Sequence, residues 1–323
     1  MSDLAETLRS TTTERSTPRF AVLALRFTLG AVLMYACLYV WAEIRVRETG
    51  ETNRFHQIWA HDPQTFDHVI LGASHAMPLS YGGLEATAEA ATDRTILNLS
   101  NEGAGPMVNG FVYDYFARKH AARHVIYVLD SFAFNAATWN EERIEDRDLF
   151  VRAPFDPALV ATFMGAPWAW GVFPDYLTGF SKINGLYRLG VDRTDAELTR
   201  FDTAWRANER IDAQRIKYLY DVPDAEAATA RYLAAFDALL GRIEATGATI
   251  TVLKLPTPPR YRDNLPGEPA FDAQVNALLE GRGIAFVDHS TLLPGDENYY
   301  DTDHLNRTGV EAYLDDAFLD LLR

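Results

Sequence analysis

The chain has 323 residues, a hydrophobic content of 48% and a formal net charge of −15 at pH 7. Its length accommodates one large or two ordinary domains with a packed core, and its acidity argues against nucleic acid, which needs a basic protein face. The same charge argues against electrostatic docking on anionic lipid. A single cysteine, Cys37, excludes an internal disulfide and a cysteine-based metal site within these residues.

The N-terminal region predicts a polar tail followed by a membrane-spanning helix. Residues 1–19 are polar and carry three arginines, whereas residues 20–42 are almost entirely apolar. As a helix, the apolar stretch would be about 34 Å long, enough to cross a hydrocarbon core of about 30 Å. The arginines of the tail favour a cytoplasmic N-terminus, although Arg45 and Arg47 beyond the span weaken this bias. We therefore predict a single-pass protein of the bacterial inner membrane whose domain faces the periplasm or the cell exterior.

A cleaved signal peptide and a buried core helix are the alternatives to a retained anchor. The apolar stretch is long for a signal peptide, and no small-x-small cleavage site follows it. Tyr39 and Trp41 stand near its end, where an aromatic belt is expected. A lipid-modified Cys37 is disfavoured because Met34-Tyr35-Ala36 precedes it poorly and apolar sequence continues beyond it.

The rest of the chain, residues 48–323, predicts an α/β domain. A polar linker and entry helix over 47–66 lead into short apolar runs that alternate with helical patterns. The predicted strands are 68–71, 95–99, 124–129, 249–255 and 284–287, and the predicted helices are 82–92, 106–121, 224–246, 268–281 and 308–322. This alternation indicates βαβ units, hence a three-layer sandwich around a five-stranded parallel sheet of the flavodoxin-like kind.

Residues 131–222 are too long for an ordinary crossover between strands and predict a helical insertion. The segment is rich in aromatic residues, namely Trp139, Trp168, Trp170, Phe173, Tyr176, Phe180 and Tyr187. These rings could form a lid or platform that stacks on a sugar or lies on the membrane surface. The favoured interpretation is a helical subdomain that buries them in a small core of its own.

Two motifs carry the candidate chemistry. Ser74 follows the first strand in the run Gly-Ala-Ser-His, and Asp301 and His304 stand just before the last helix in Asp-Thr-Asp-His-Leu-Asn. A histidine can take the proton of a serine hydroxyl, and an aspartate can orient the imidazole and stabilise its cation. Both motifs follow predicted strand ends, so they are expected at one edge of the sheet.

Each motif also has an ordinary structural interpretation. Ser74 could cap the next helix, and His304 could be a loop histidine beside a helix capped by Asn306 or Thr308. His75 adjoins Ser74 and could line its pocket. Asp303 is expected outside the triad, solvated or bonded to the loop backbone.

A metal site is the main chemical alternative. Asp288, His289, Asp301, Asp303 and His304 supply five oxygen or imidazole ligands within a short stretch, and zinc needs only three or four that converge. No helical His-x-x-x-His pattern supports this alternative, and it leaves Ser74 unexplained. We expect no metal and no cofactor.

Three sequence blocks together resemble the SGNH (GDSL-like) hydrolase superfamily. They are the Gly-Ala-Ser loop after the first strand, the loop Asn-Leu-Ser-Asn-Glu-Gly-Ala-Gly over 98–105, and the Asp-x-x-His-Leu-Asn block near the C-terminus. The resemblance covers about 68–130 and 249–320. It implies Ser74 as nucleophile, His304 as base and Asp301 as the residue that orients it. It also implies a backbone amide in the oxyanion hole, from Gly103 or Gly105.

The third block departs from this family. A Gly-x-Asn-Asp sequence is usual after the third strand, and here the chain reads Leu-Asp-Ser-Phe-Ala-Phe-Asn from 129 to 135. The oxyanion asparagine is absent from its usual place, which leaves Asn101 and Asn135 as substitutes. Membrane-anchored relatives with such a block resemble cell-envelope acyl-transfer proteins that work beside a membrane-bound O-acyltransferase.

The resemblance therefore implies serine-dependent ester chemistry outside the cytoplasm. Acyl transfer, most often of acetyl, to or from a cell-envelope polysaccharide is expected first, and plain esterase action second. The substrate would be an acylated glycan or another ester. A catalytically weak, membrane-anchored scaffold of a polysaccharide-modification complex is the alternative, and the altered third block favours it.

Overall fold

The computed structural model of the protein describes residues 17–50, 53–185 and 199–323. Most of the predicted tail over 1–19 and the aromatic residue Tyr187 lie outside these ranges. Within them, a five-stranded sheet is covered by helices on both faces, as the alternation of apolar runs and helical patterns predicts.

The sheet is entirely parallel, with its strands in the order β2-β1-β3-β4-β5. The strands are β1 (Thr65–Leu71), β2 (Ile96–Asn98), β3 (Ala121–Val128), β4 (Thr249–Lys254) and β5 (Ala285–Asp288). This order is the flavodoxin-like one, in which sites form at the carboxyl ends of the strands. The predicted fold class is confirmed, and all five predicted strands are present with ends shifted by a few residues.

The helices follow the predicted order. In chain order they are α1 (Thr17–Thr49), α2 (Arg54–Ala60), α3 (Leu84–Thr92), α4 (Pro106–Phe116), α5 (Glu141–Ile144), α6 (Asp148–Val151), α7 (Pro157–Gly165), α8 (Phe173–Thr178), α9 (Phe180–Gly185), α10 (Glu209–Tyr220), α11 (Ala225–Ala245), α12 (Pro259–Arg262), α13 (Glu268–Arg282), α14 (Arg307–Tyr313) and α15 (Leu319–Leu322). Short 3₁₀ helices cover Ser74–Gly83, Ser131–Phe134, Ala137–Trp139, Pro167–Ala169 and Asp296–Asn298, and a π-helical turn covers Leu314–Phe318.

Alternate strand residues point to two separate cores, which makes the architecture three-layered. Val69 and Val125 pack with α4, α11 and α13 on one face. Ile70 and Ile126 pack with α3 and α14 on the other. Both faces are buried, as near-continuous apolar strands require in a parallel sheet.

Helix α1 is longer than the predicted span of 20–42. Its segment from Arg19 to Thr49 has 31 residues and includes an 18-residue stretch with a mean hydropathy of 1.9, so it is long and apolar enough to cross a membrane. The helix continues past Ala42 because Glu43 is buried against α9, where it pairs with Lys182. An internal partner for this carboxylate makes a charge tolerable where the sequence alone indicates a helix end.

The insertion is helical, but its buried rings form no separate core. Trp139 and Tyr176 are buried within the cluster that covers the α4 face of the sheet, and Trp168 and Phe173 pack against that cluster. Trp170 and Phe180 remain about half exposed. The expectation of an independent small core is therefore wrong for the described part of the insertion.

Candidate active site

Ser74 lies three residues past the carboxyl end of β1, an inner strand of the sheet. It is the first residue of the 3₁₀ helix Ser74–Gly83, so its backbone amide has no acceptor within that helix. Its Oγ lies 2.9 Å from Nε2 of His304, although 230 positions separate the two residues. The structure thus brings the two sequence motifs into hydrogen-bond contact.

The loop before α14 holds the imidazole of His304 in a fixed orientation. Its Nδ1 lies 3.0 Å from both carboxylate oxygens of Asp301. Asp301 Oδ1 also accepts the backbone amides of His304 and Asp303, at 2.9 and 3.1 Å. Asn306 accepts the amide of Gly309 and caps α14, which fixes where the loop ends. Ser74, His304 and Asp301 therefore form one continuous hydrogen-bonded chain.

A second carboxylate, Asp303, lies beside the hydrogen-bonded triad. It is buried, whereas its position in the sequence indicates a solvated side chain or one bonded to the loop backbone. It is 2% exposed, and its Oδ1 is 3.3 Å from Nδ1 of His304. Its Oδ2 accepts from Nε of Arg215 at 3.0 Å and lies 3.2 Å from Nε2 of His75. The ring of His75 reaches Asp130 through its other nitrogen, Nδ1, at 2.5 Å.

These contacts determine the protonation of the site. Burial alone would lower the pKa of His304, but the negative charges of Asp301 and Asp303 outweigh burial and raise its pKa to about 10. Burial opposes protonation of His75 as well, and Asp130 and Asp303 raise its pKa to about 9. Burial would raise the pKa of Asp303, yet the adjacent cations hold it well below its usual value.

His75, Asp303 and His304 form the one cluster, within the described residues, whose ligand atoms converge closely enough for a metal ion, all lying within 4.8 Å. This set differs from the predicted one, because His289 instead contacts the hydroxyl of Tyr313 at 2.8 Å. The donor chemistry does not suit a metal. The raised pKa values of His75 and His304 favour protonated imidazoles, and Asp303 already accepts a hydrogen bond from Arg215. Metal ligation requires neutral histidine.

Ser74 and His304 open into a cleft of about 240 Å³. Its walls are largely aromatic, from Tyr81, Phe132, Trp139, Tyr218 and Tyr300, and its charged lining residues are Glu102, Arg200, Arg215 and Asp301. The ring of Tyr300 stacks on His304 with 5.5 Å between centroids. Aromatic walls with a few charged groups are typical of small-ligand sites.

The oxyanion-hole candidates occupy different places around this cleft. Gly103 lines it, in a left-handed conformation with φ of +61°. The amide of Gly105 donates to the carbonyl of Trp139 at 2.6 Å. The side-chain amides of Asn101 and Asn135 donate to the carbonyls of Leu99 and Leu219. Gly103 is thus the one of these four residues that lines the cleft together with Ser74.

Sequence reasoning missed the pairing of His75 with Asp130 and that of Asp303 with Arg215. The positions of Asp130, just past β3, and of His75, next to Ser74, were the available signal, since strand ends gather at one edge. No pattern in the sequence singles out Arg215, which reaches the site from α10 in the insertion.

No protein-family model and no curated protein matches this chain. Among solved structures, a protein of Bacteroides fragilis NCTC 9343 described as a "putative acylhydrolase" aligns over 83% of this chain and 94% of its own, with 11% identity and a TM-score of 0.41. Another, described as a "putative platelet activating factor" from Streptococcus pneumonia, aligns over 94% and 99%, with 12% identity and a TM-score of 0.36. Likeness this weak carries no argument about activity.

Proposed function

We propose that this protein is a membrane-anchored serine enzyme of the SGNH kind, which transfers an acyl group, in the simplest case acetyl, to or from a cell-envelope polysaccharide. The observation that carries the proposal is the chain from Ser74 Oγ to His304 Nε2 at 2.9 Å and from His304 Nδ1 to Asp301 at 3.0 Å. These are the distances and roles that activate a serine as a nucleophile.

In the proposed reaction, Ser74 Oγ attacks the ester carbonyl while its proton passes to Nε2 of His304. The ester C–O bond then breaks, and the same proton goes to the departing alcohol, which leaves an acyl group on Ser74. In the second half, His304 removes a proton from the acceptor hydroxyl, whose oxygen attacks the acyl carbonyl. The bond between the acyl carbon and Ser74 Oγ breaks, and His304 returns the proton to Oγ. A sugar hydroxyl as acceptor gives transfer, and water gives de-esterification.

The developing oxyanion needs donors that are already in place. The backbone amides of Ser74 and Gly103 are the proposed donors, because Ser74 begins its helix and Gly103 lines the same cleft. Within the described part of the chain, Gly103 donates no hydrogen bond to another backbone carbonyl, which supports its amide as a donor.

The proposed substrate class rests on the lining of the cleft and on α1. Aromatic rings and guanidinium groups suit the apolar faces and polar edges of a sugar ring, and a helix able to span a membrane would hold the enzyme beside the cell envelope. A membrane-bound O-acyltransferase is the proposed partner that would supply the acyl group, with the domain in the periplasm or outside the cell.

A weakly active scaffold of the same complex is the second candidate. Asn101 and Asn135 both donate to backbone carbonyls, and neither belongs to the cleft lining described above. Loss of one oxyanion donor costs roughly 2.7–4 kcal/mol of transition-state stabilisation. That loss is compatible with slow chemistry or with a binding role.

The deciding experiment labels the full-length protein, purified in detergent, with a fluorophosphonate probe and measures its turnover of a chromogenic acetyl ester. We expect labelling of the wild type and none of Ser74→Ala or His304→Ala, with turnover lower by about 10³-fold or more. The matched control is Ser80→Ala, which alters a serine of the same 3₁₀ helix that bonds Glu85 instead.

Labelling that persists in Ser74→Ala would contradict the assignment of the nucleophile. A folded wild type that neither labels nor turns over ester would favour the scaffold. Circular dichroism and the melting temperature of each variant separate a lost reaction from a lost fold, since an alanine at position 74 removes only one side-chain hydrogen bond.

A further inference from the structure

The stretch of α1 from 19 to 37 is exposed along its whole length. Phe27, for example, is 77% exposed and Leu33 is 66% exposed. At 1.5 Å per residue this stretch is about 28 Å long, close to the hydrocarbon thickness of a bilayer, about 30 Å. A core helix of a soluble domain would bury one face along this length, and this one buries none.

The stretch ends where α1 meets the junction of α8 and α9. The hydroxyl of Tyr35 donates to the carbonyl of Thr178 at 2.9 Å. Gly179 has φ of +65°, and any side chain there would come within 2.5 Å of the ring of Tyr39. This close packing places the α8–α9 junction beside residues 35–39, at the end of the exposed apolar stretch.

Two large apolar side chains, Leu177 and Phe180, flank this junction and are 40% and 53% exposed; we call this pair the apolar collar. Their exposure belongs to a local trend. Among the residues that the structure describes, five of the exposed large apolar residues outside α1 lie between 155 and 180, namely Phe155, Met164, Trp170, Leu177 and Phe180, and two lie elsewhere, Tyr218 and Leu292.

We propose that the apolar collar inserts into the interfacial layer of the bilayer that α1 crosses. The inference rests on the proposed anchoring by α1 and adds a second lipid contact, made by the insertion. Lipid is the partner that fits the collar, because the collar continues the exposed surface of α1 at the level where the hydrocarbon core would end. The net charge of −15 disfavours an electrostatic attachment and leaves apolar contact as the means.

The contact would fix the domain against the membrane at two points. A single helix permits rotation about its own axis, whereas a second apolar contact beside it opposes that rotation. Phe and Leu side chains favour the boundary between headgroups and acyl chains, about 5–10 Å deep. The bonded and packed junction at Thr178 and Gly179 holds the collar at that depth.

The test is site-specific labelling at introduced cysteines, which is simple here because the chain has one native cysteine to remove. In a full-length Cys37→Ser background, one cysteine is placed at Phe180, at Phe27 or at Tyr218 and labelled with an environment-sensitive fluorophore. Each protein is reconstituted into phosphatidylcholine nanodiscs that carry a doxyl quencher either near the headgroup or near the chain end. Phe27 reports on the span, and Tyr218, 63% exposed on the cleft lining, is the matched control.

We expect the probe at 180 to be quenched about twofold or more by the shallow quencher and less by the deep one, as an interfacial position requires. The probe at 218 should respond to neither. Quenching at 27 without quenching at 180 would overturn the collar and leave the anchor standing. No quenching at 27 would overturn the anchor and the collar with it, and equal quenching at 180 and 218 would also overturn the collar.

Discussion

The imidazole of His304 lies close to two carboxylates. They stabilise its protonated form, and they also reduce the fraction of neutral imidazole that can act as a base. Asp301 and Asp303 both stabilise the imidazolium, which raises the pKa of His304 to about 10. A general base must be neutral to accept the serine proton, so the rate should rise with pH until His304 loses its proton. His75 and Arg215 both contact Asp303. Their positive charges partly offset its negative charge and so reduce its effect on the pKa of His304.

Asp303→Asn tests this balance. The change removes a negative charge 3.3 Å from Nδ1 of His304, so the imidazolium loses stabilisation and the pKa of His304 falls. More of the base is then neutral at a given pH. We expect the acid limb of kcat/KM to move to lower pH by about 1–3 units, as measured by a pH–rate profile.

The matched control is Asp315→Asn, an exposed carboxylate on the π-helical turn, which should leave the limb in place. Asp303→Asn should also lower the melting temperature, because removing one member of a buried ion cluster costs about 3–5 kcal/mol. An acid limb that stays in place, or moves to higher pH, would show that Asp303 does not set the protonation of His304.

The sequence predicts the hydrogen-bonded triad better than its surroundings. Ser74, Asp301 and His304 stand in short motifs at strand ends, where topology alone brings them to one edge. The sequence predicts Asp303 outside the triad, solvated or bonded to the loop backbone, because aspartate is seldom buried without a partner. Its three partners, His75, Arg215 and His304, come from the 3₁₀ helix after β1, from α10 and from its own loop, and only the folded structure brings them together.

Helix α1 shows a similar limit at the scale of an element. Hydropathy predicts its apolar part, but not its continuation to Thr49, since the first acidic residue of the helix, Glu43, indicates an end. The helix continues because Glu43 pairs with Lys182 and accepts the amide of Phe155 at 2.8 Å. The strands were predicted well where they are apolar, and β1 begins earlier because its polar first residues, Thr65 and Asp67, carry no periodic signal.

The Glu43–Lys182 pair holds α1 against α9, and breaking it should lower the free energy of unfolding by a measurable amount. Both residues are less than a tenth exposed. Replacing one of them leaves an unpaired buried charge, so Glu43→Gln or Lys182→Met should each destabilise the protein by about 3–5 kcal/mol. Thermal unfolding in detergent would measure this loss.

The double variant Glu43→Gln/Lys182→Met serves as the control. It removes both charges and should recover most of the stability, because a neutral pair of similar volume costs little. Additive losses in the double variant would contradict the pairing and indicate that each side chain contributes through separate contacts.

At the scale of the whole molecule, the distribution of arginines around α1 predicts an orientation that can be tested. The three arginines before the span outnumber the two just beyond it, which favours a cytoplasmic tail and an outer domain. Alkaline phosphatase fused after Arg323 should therefore be active in a bacterial host, and a green fluorescent protein fusion at the same place should be dark.

Replacing Arg9, Arg15 and Arg19 with glutamine provides the matched control. The remaining arginines then favour the opposite orientation, so phosphatase activity should fall and fluorescence should appear. A bright fluorescent fusion on the unaltered chain would place the domain in the cytoplasm and contradict the proposed location.

The packing of α1 on α9 also limits how far the cleft can move relative to the membrane surface. Between Cys37 and Thr49 the chain is one helix held by the domain, with no disordered linker whose reach would grow with its length. In a bilayer of a given thickness, the cleft would therefore stay at one height above the membrane and would tilt together with the helix. A polymer substrate would have to be delivered to that height, and a thicker or thinner membrane would shift the height, because hydrophobic mismatch changes helix tilt.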